Sequence, residues 1–492
     1  MKINRRKFLV ATAITPAMVL MSKHAFSDSQ HRQELPIPEL YEGEYQRGKK
    51  KFRLNVEHGE KEFFTGYKTS TLGYNGNYLG PTLKMKKGDQ VAIEVNNHLS
   101  EDTTVHWHGM VLPSKMDGGP HQNITHQDKW ISEFKVIQPA ATLFYHSHAH
   151  GQTGQQVYRG LAGLLLIDDE ESMQTNLPNE YGVDDIPIVI QDREFDQDGQ
   201  FNYLGFMPER MIGKHGKTLL VNGAYLPVLT AKRTMTRLRL VNASNARFYN
   251  LGFDDGRIFQ VVASDGGLLE QPKSLKRLEM GPGERYEILV DLSDRKTVML
   301  KSYRGVGNAG HGPMRMMGMD IDMDVLLINA ESVEKSIIKP TKESISLPDW
   351  MLMKNTSVAH QLELQMGMSG MMNRMGMPGV MMRINDESFD INHINFSVKK
   401  DQYEVWEISN SSPMAHPFHI HNTQFKVLSR NGKSAKPFEQ GFKDTVIINQ
   451  NEKVQVLVPT GPYSDSKNPY MYHCHILEHE DGGMMGQFLV TS

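Results

Sequence analysis

The histidines of this chain are not scattered. They fall into His106-Trp107-His108-Gly109, His146-Ser147-His148, His416-Pro417-Phe418-His419-Ile420-His421 and His473-Cys474-His475. With 21 histidines in 492 residues, chance would give about one His-x-His pair. Five occur, counting His148 with His150. Residues i and i+2 of a strand point to the same face, so each pair aims two imidazoles at one point. Four such pairs aim eight nitrogens, enough for more than one metal ion. Imidazole suits copper, zinc, iron and nickel alike, so these pairs alone do not select the metal.

The fourth motif is more selective. Cys474 is the only cysteine of the chain, so neither an intrachain disulfide nor a redox dithiol can form. On a strand, His473 and His475 face one way and the Cys474 thiol faces the other. The thiol therefore belongs to a second site, back to back with the first. His479 and Met484 follow shortly after, and His416 lies an odd number of residues from both partners, His419 and His421, facing away from them. His416, Cys474, His479 and Met484 offer two imidazoles, a thiolate and a thioether, the ligand set of a blue-copper electron-transfer site. A structural zinc site would more often present several cysteines.

Strands must position these groups, and the chain is patterned for them. Tyr74-Asn75-Gly76, Val221-Asn222-Gly223 and Ile384-Asn385-Asp386 each open a turn that precedes an alternating strand. Those strands are Val91–Asn97, Arg237–Asn242 and Tyr403–Asn410. A recurrence at about 150 residues, with Gly, Asn and Pro turns, reads as a repeated antiparallel β-sandwich rather than a solenoid. The expected units are 36–168, 180–335 and 345–492, joined by polar linkers at 168–180 and 335–347. A net charge of −3, 39% apolar and 23% charged residues describe an ordinary soluble chain and exclude a basic nucleic-acid binder. Residues 1–27 read as a signal peptide. Arg5-Arg6-x-Phe8-Leu9 in the charged region resembles a twin-arginine export signal, and an apolar stretch and a small-residue cleavage site before Asp28 follow it. No later run reaches the roughly 18 apolar residues of a membrane span. A soluble periplasmic protein, monomeric and without membrane or nucleic-acid partners, is expected.

Taken together, the four motifs resemble the multicopper oxidases in their three-cupredoxin form, over essentially the whole mature chain, with all twelve ligand positions filled. The resemblance implies an all-β fold of three cupredoxin-like Greek-key sandwich domains and four copper ions. His106 and His419 would bind the type 2 ion. His108, His146, His148, His421, His473 and His475 would bind the binuclear type 3 pair, and His416, Cys474, His479 and Met484 would hold type 1. Electrons would pass from Cys474 to His473 or His475, and O2 would be reduced to two waters. Asp117 and Glu480 match acids that deliver protons in the bacterial branch of the family.

The methionines bear on the electron donor. Sixteen of 31 lie between Met299 and Met382, in a first cluster of Met314, Met316, Met317, Met319 and Met323 and a second from Met366 to Met382. Met368, Met371, Met372 and Met375 are spaced as one face of a helix, while Gly367, Gly370 and Gly376 weaken any helix there, so a short Met-rich segment is expected in or beside the third domain. The second cluster has no Leu, Ile, Val or Phe from 365 to 379, unlike a core helix, and thioethers select Cu(I). The chain is thus similar to periplasmic copper-efflux oxidases of the CueO type, which oxidise Cu(I) to Cu(II). Met366, Met368, Met371, Met372, Met375 and Met414 are candidate substrate-copper ligands. Ser412 stands where such enzymes carry an aspartate, and Glu363 or Asp349 is a candidate replacement. A laccase-like phenol oxidase or an Fe(II) oxidase is the alternative. A non-catalytic, division-associated protein of the same fold is disfavoured because every ligand position is filled.

Overall fold

The computed structural model describes residues 32–205, 207–305, 320–336, 345–353, 357–368 and 380–492. Its strands form three successive pairs of sheets, and no sheet is shared between pairs. The first pair uses strands between Leu40 and Asp168, the second between Asp185 and Asn329, and the third between Val358 and Thr491. The chain is all-β, as expected. The signal segment lies outside the described residues. Among those described, no helix is long and apolar enough to cross a membrane.

The alternating strands form where the pattern predicts. Gln90–Asn97 sends Val91, Ile93 and Val95 into a core, and Tyr403–Asn410 sends Trp406 and Ile408. Both are interior strands of their sheets. The middle strand, Met235–Asn242, differs. Its polar face, Arg237 and Arg239, is buried too. Arg237 Nε donates to Glu287 Oε2 at 2.8 Å, and Arg239 Nη1 donates to Glu287 Oε1 at 2.9 Å and to Thr142 Oγ1 of the first sandwich at 2.8 Å. Asp185 takes the other side of the Arg239 guanidinium at 2.6 and 2.8 Å. A face that would meet water in an isolated sandwich is here the seam against its neighbour.

The described start of the Met-rich segment, Met366 and Met368, is strand. Both lie on strand Val358–Met368, which pairs in parallel with Tyr403–Asn410 and antiparallel with Val380–Ile384. Met366 stands opposite Met382 and Met368 opposite Val380. The reason is a competing period. Leu362 and Leu364 are buried at alternate positions, and Met366 continues that spacing of two into the core of the third sandwich. Gly367 also weakens a helix by about 1 kcal/mol relative to alanine. Met371, Met372 and Met375 lie outside the described residues, as do Met314, Met316, Met317 and Met319.

The histidine motifs sit on strands that face one another across the first and third sandwiches. His106–His108 is the edge strand of its sheet and pairs antiparallel with Ala141–His146, with His106 opposite His146. His416–Ile420 pairs antiparallel with Asp465–Cys474, with His419 opposite His473 and Phe418 opposite Cys474.

Glu287 supports a prediction. Burial by itself would raise its carboxyl, but Arg237 and Arg239 bring it from an ordinary 4.5 down to about 2. The unfolded chain protonates Glu287 near the ordinary value. Its stabilising contribution is therefore complete above pH 4.5 and is lost as pH falls toward 2. Glu287→Leu should destabilise the apo chain by about 3–5 kcal/mol, because two buried guanidinium groups lose a shared partner. It should also flatten the acid limb of stability. Denaturant unfolding followed by tryptophan fluorescence from pH 3 to 7 checks both; a change under about 1 kcal/mol would show that other acceptors replace Glu287.

Candidate metal centre

Antiparallel partners directly opposite one another share a face. The pairing of His419 with His473 and of Phe418 with Cys474 therefore separates two sites on the two faces of one sheet. On the first face, the ligand-type atoms of His106, His108 and His419 lie within 4.8 Å of one another, as do those of His108, His146 and His475, and those of His148, His421 and His473. On the other face, His416, Cys474 and His479 converge by the same measure. Cys474 Sγ lies 3.3 Å from His416 Nδ1 and 3.7 Å from His479 Nδ1. Met484 is fully buried in the same core. Its backbone bonds both neighbours: its N–H donates to the His479 carbonyl at 2.9 Å, and its carbonyl accepts from the Cys474 N–H at 3.0 Å. The expected ligands are thus brought together, with His416 turned away from His419 and His421 as strand parity predicts. His150 is not among them; it packs edge-on to Phe389.

The outer nitrogens reveal how the rings are set. A carbonyl or carboxylate oxygen accepts only, so a ring nitrogen facing one carries the proton and leaves its partner nitrogen with a free lone pair. Nδ1 of His106, His146, His419 and His473 faces the carbonyls of Asp117, Ser147, Asp444 and Cys474 at 2.8–3.0 Å. Their Nε2 atoms are the free ones. Nε2 of His106 and of His419 are buried with no hydrogen-bond partner, and so are both ring nitrogens of His475. His108 is reversed: its Nε2 faces Asp444 Oδ1 at 3.0 Å, and its Nδ1 points to His146 Nε2 at 3.4 Å.

On the thiol face, His479 Nε2 donates to the Met211 carbonyl at 2.9 Å. His416 Nε2 meets Ser412 Oγ at 2.6 Å, and that hydroxyl has its own acceptors in Asn410 Oδ1 and the Met414 carbonyl. Both imidazoles therefore present Nδ1 to Cys474. Ser412 is buried, and its hydroxyl caps His416. Glu363 instead stands opposite Ser409 and accepts from Gln365 at 3.2 Å. Asp349 opens the short helix Asp349–Leu352. Met414 is buried in the third core, and Met366 is partly buried against it.

Electrostatics suit cation binding. Burial, reinforced by neighbouring imidazoles, holds His106, His148, His421, His473 and His475 well below the usual histidine range. Burial lowers His146 and His479 to about 4. These rings are neutral at physiological pH, with lone pairs aimed at shared points. Burial also pushes the Cys474 thiol up, so a thiolate there needs a cation beside it. Orphaned lone pairs, a buried thiol and a thioether fit copper well.

Both expected acids touch the histidine cluster. Asp117 Oδ2 is 2.7 Å from His421 Nδ1, and Oδ1 is 3.5 Å from His106 Nδ1. Glu480 Oε1 lies 3.3 Å from His148 Nδ1, and Oε2 lies 3.3 Å from His473 Nδ1. Burial raises both carboxyls well above the usual range, and Asp481 adds to this at Glu480. Asp444 and Thr445, whose side chains reach both His108 and His419, were missed from sequence. Their only signal is a polar pair just before the apolar run Val446-Ile447-Ile448.

Comparison with known proteins agrees with this geometry. Multicopper oxidase family models match residues 55–172, 195–312 and 356–492. The chain is 39% identical to a multicopper oxidase (mco) of Staphylococcus aureus, over 94% of each chain. It is 35% identical to the cell division protein FtsP of Escherichia coli, over 100% of this chain and 99% of that one. Among solved structures, it is similar to a laccase-like CueO from Ochrobactrum sp. with oxidase activity towards lignin model compounds. That likeness has a TM-score of 0.81 and 34% identity, covering 93% of this chain and 100% of that one. A metallo-oxidase of Campylobacter jejuni has a TM-score of 0.78 and 28% identity, covering 95% and 100%. Since three models of one family match in succession along the three sandwiches, the chain belongs to the multicopper oxidases.

Proposed function

We propose that this protein is an active oxidase, and that it oxidises Cu(I) to Cu(II) for copper tolerance. Four Cu(I), one O2 and four protons would give four Cu(II) and two waters. The observation that carries the reading is the convergence of every candidate histidine and the single thiol on two adjoining sites. His416, Cys474, His479 and Met484 would hold type 1 copper, and His106 and His419 type 2. His108, His146 and His475 would hold one type 3 ion, and His148, His421 and His473 the other. Bound copper supplies the one-electron redox steps and the centre at which O2 is reduced.

The chain's own groups hold these sites in place. Ser412 and the Met211 carbonyl lock the two imidazoles beside Cys474. Neighbours on a strand rise only about 3.3 Å, so the backbone joins Cys474 to His473 and His475 by a short bonded route. Glu480 and Asp117, whose carboxyls burial raises well above the usual range, border the histidine cluster and would relay protons to it. Soft thioethers support Cu(I) as donor: Met414 and Met366 lie in or against the core that contains Cys474, and the remaining methionines of 366–382 are sequence neighbours. The twin-arginine signal supports export to the periplasm. Ser412, which offers no carboxylate for a substrate cation, favours the second reading: a laccase-like oxidase of phenols, or of Fe(II).

Three outcomes are expected. Cys474→Ser should abolish the strong visible copper–thiolate band and O2 uptake while the histidine cluster still binds copper, as read by absorbance and metal analysis. Replacing 369–379 with a short Gly-Ser turn, which can still close the antiparallel pair of Met368 with Val380, should lower Cu(I)-driven O2 uptake at least tenfold and leave phenol oxidation equal or faster. Cu(I), Fe(II) and a phenol compared side by side in an oxygen electrode decide this, and unchanged Cu(I) oxidation would rule out the methionine segment as substrate site. Glu480→Gln, which removes the transferable proton, should slow turnover by about 100-fold or more with copper content unchanged.

A further inference from the structure

The middle sandwich supplies none of the twelve candidate ligands, yet it reaches the histidine cluster. Arg285, on its strand Arg285–Asp291, is completely buried. Its guanidinium grips the Asp444 carboxylate of the third sandwich with both ends, Nη1 to Oδ1 at 2.6 Å and Nη2 to Oδ2 at 2.5 Å. The remaining donors bond the first and second sandwiches: Nε to the Thr142 carbonyl at 3.2 Å, Nη1 to the Gly283 carbonyl at 3.0 Å and Nη2 to the Asp265 carbonyl at 2.9 Å. One side chain thus bonds all three sandwiches.

Asp444 passes this constraint on. Its Oδ1 accepts from His108 Nε2 at 3.0 Å and lies 3.6 Å from His419 Nδ1, and its own carbonyl accepts from His419 Nδ1 at 2.8 Å. The loop carrying it is tied to the middle sandwich as well. Asp265 Oδ2 accepts from the backbone N–H groups of Asp444 and Thr445, at 3.2 and 3.3 Å, and pairs with buried Lys443 at 2.9 Å. The contact is tight. A Cβ on Gly109 would meet Asp444 Oδ2 at 2.6 Å and Arg285 Nη2 at 2.8 Å, and its φ is +89°. The glycine of the first motif is thus required by this ion pair.

We infer that Arg285 is a positioning residue for the histidine cluster. Acting through Asp444, it holds His108 of the first sandwich in its reversed orientation, Nδ1 inward, and registers it against His419 of the third. The inference rests on the copper reading above. A bidentate pair is the suitable device because it sets orientation as well as distance, and lysine cannot reproduce it.

Copper titration of the full chain against a competing chelator tests this, with two readouts: total copper per chain and the visible band of the Cys474 site. Arg285→Met should weaken cluster copper by about 10–100-fold, the usual effect of losing a partner behind a metal ligand. The Cys474 band should keep its affinity and position. Arg285→Lys should fall between Arg285→Met and the wild type, and Asp444→Asn, which keeps the side chain's shape, should match Arg285→Met and decides the matter if that variant does not fold. Cluster affinity within threefold of wild type, or an equal loss at the Cys474 site, would overturn the positioning role. Wild-type protein that fills no cluster would instead overturn the copper reading, and this inference with it.

Discussion

Side chains alternate across a strand, and the end of strand Asp465–Cys474 turns that constraint into two chemically different sites. His473 and His475 fall on one face and Cys474 on the other, separated by a single layer of backbone. Everything else must be built to meet these three residues from both sides. The antiparallel partner His416–Ile420 does so by the same parity: His419 is opposite His473, while His416 lies on the face of Phe418 and Cys474. The short helix Leu477–Asp481 brings His479 back beneath the thiol and places Glu480 against His148 and His473.

Gathering so many imidazoles in a buried space is possible because none needs to be charged. Burial and mutual proximity hold most of them well below the usual histidine range, and acceptor oxygens behind many of the rings decide which nitrogen faces inward. Those backing groups come from Asp117, Ser147, Asp444 and Cys474 on the cluster side, and from Ser412 and Met211 on the thiol side. The unpaired nitrogens that remain would be a liability in an ordinary core, where buried polar atoms are nearly always satisfied. Here they share common points, which is what a set of metal ligands requires.

Much of this was legible in the sequence because period-two parity is a local property. The candidate ligands, the split into two faces and the isolation of His416 from its neighbours follow from residue type and spacing. Parity also accounts for the strand at Met366 and Met368. The alternation that starts at Leu362 continues through Met366, and pairing with Tyr403–Asn410 and Val380–Ile384 holds the start of the Met-rich segment as strand. Arg237 and Arg239 show the limit of parity. Alternation placed them correctly on one face, but the sequence does not say whether that face meets water or Glu287 and Thr142.

The sequence by itself thus determined which residues can bind metal and on which side of their strands they lie, since both depend on residue type and on neighbours two positions away. The tertiary structure decided what stands behind each ring and what joins the sandwiches. Asp444 lies 336 residues from His108 and 159 from Arg285, and no spacing rule connects positions so far apart. Only the packing of three sandwiches brings a buried cation of the second to a carboxylate of the third and a histidine of the first. That contact carries no local signature, because its strength comes from desolvation and bidentate geometry, which exist only once the chain has folded.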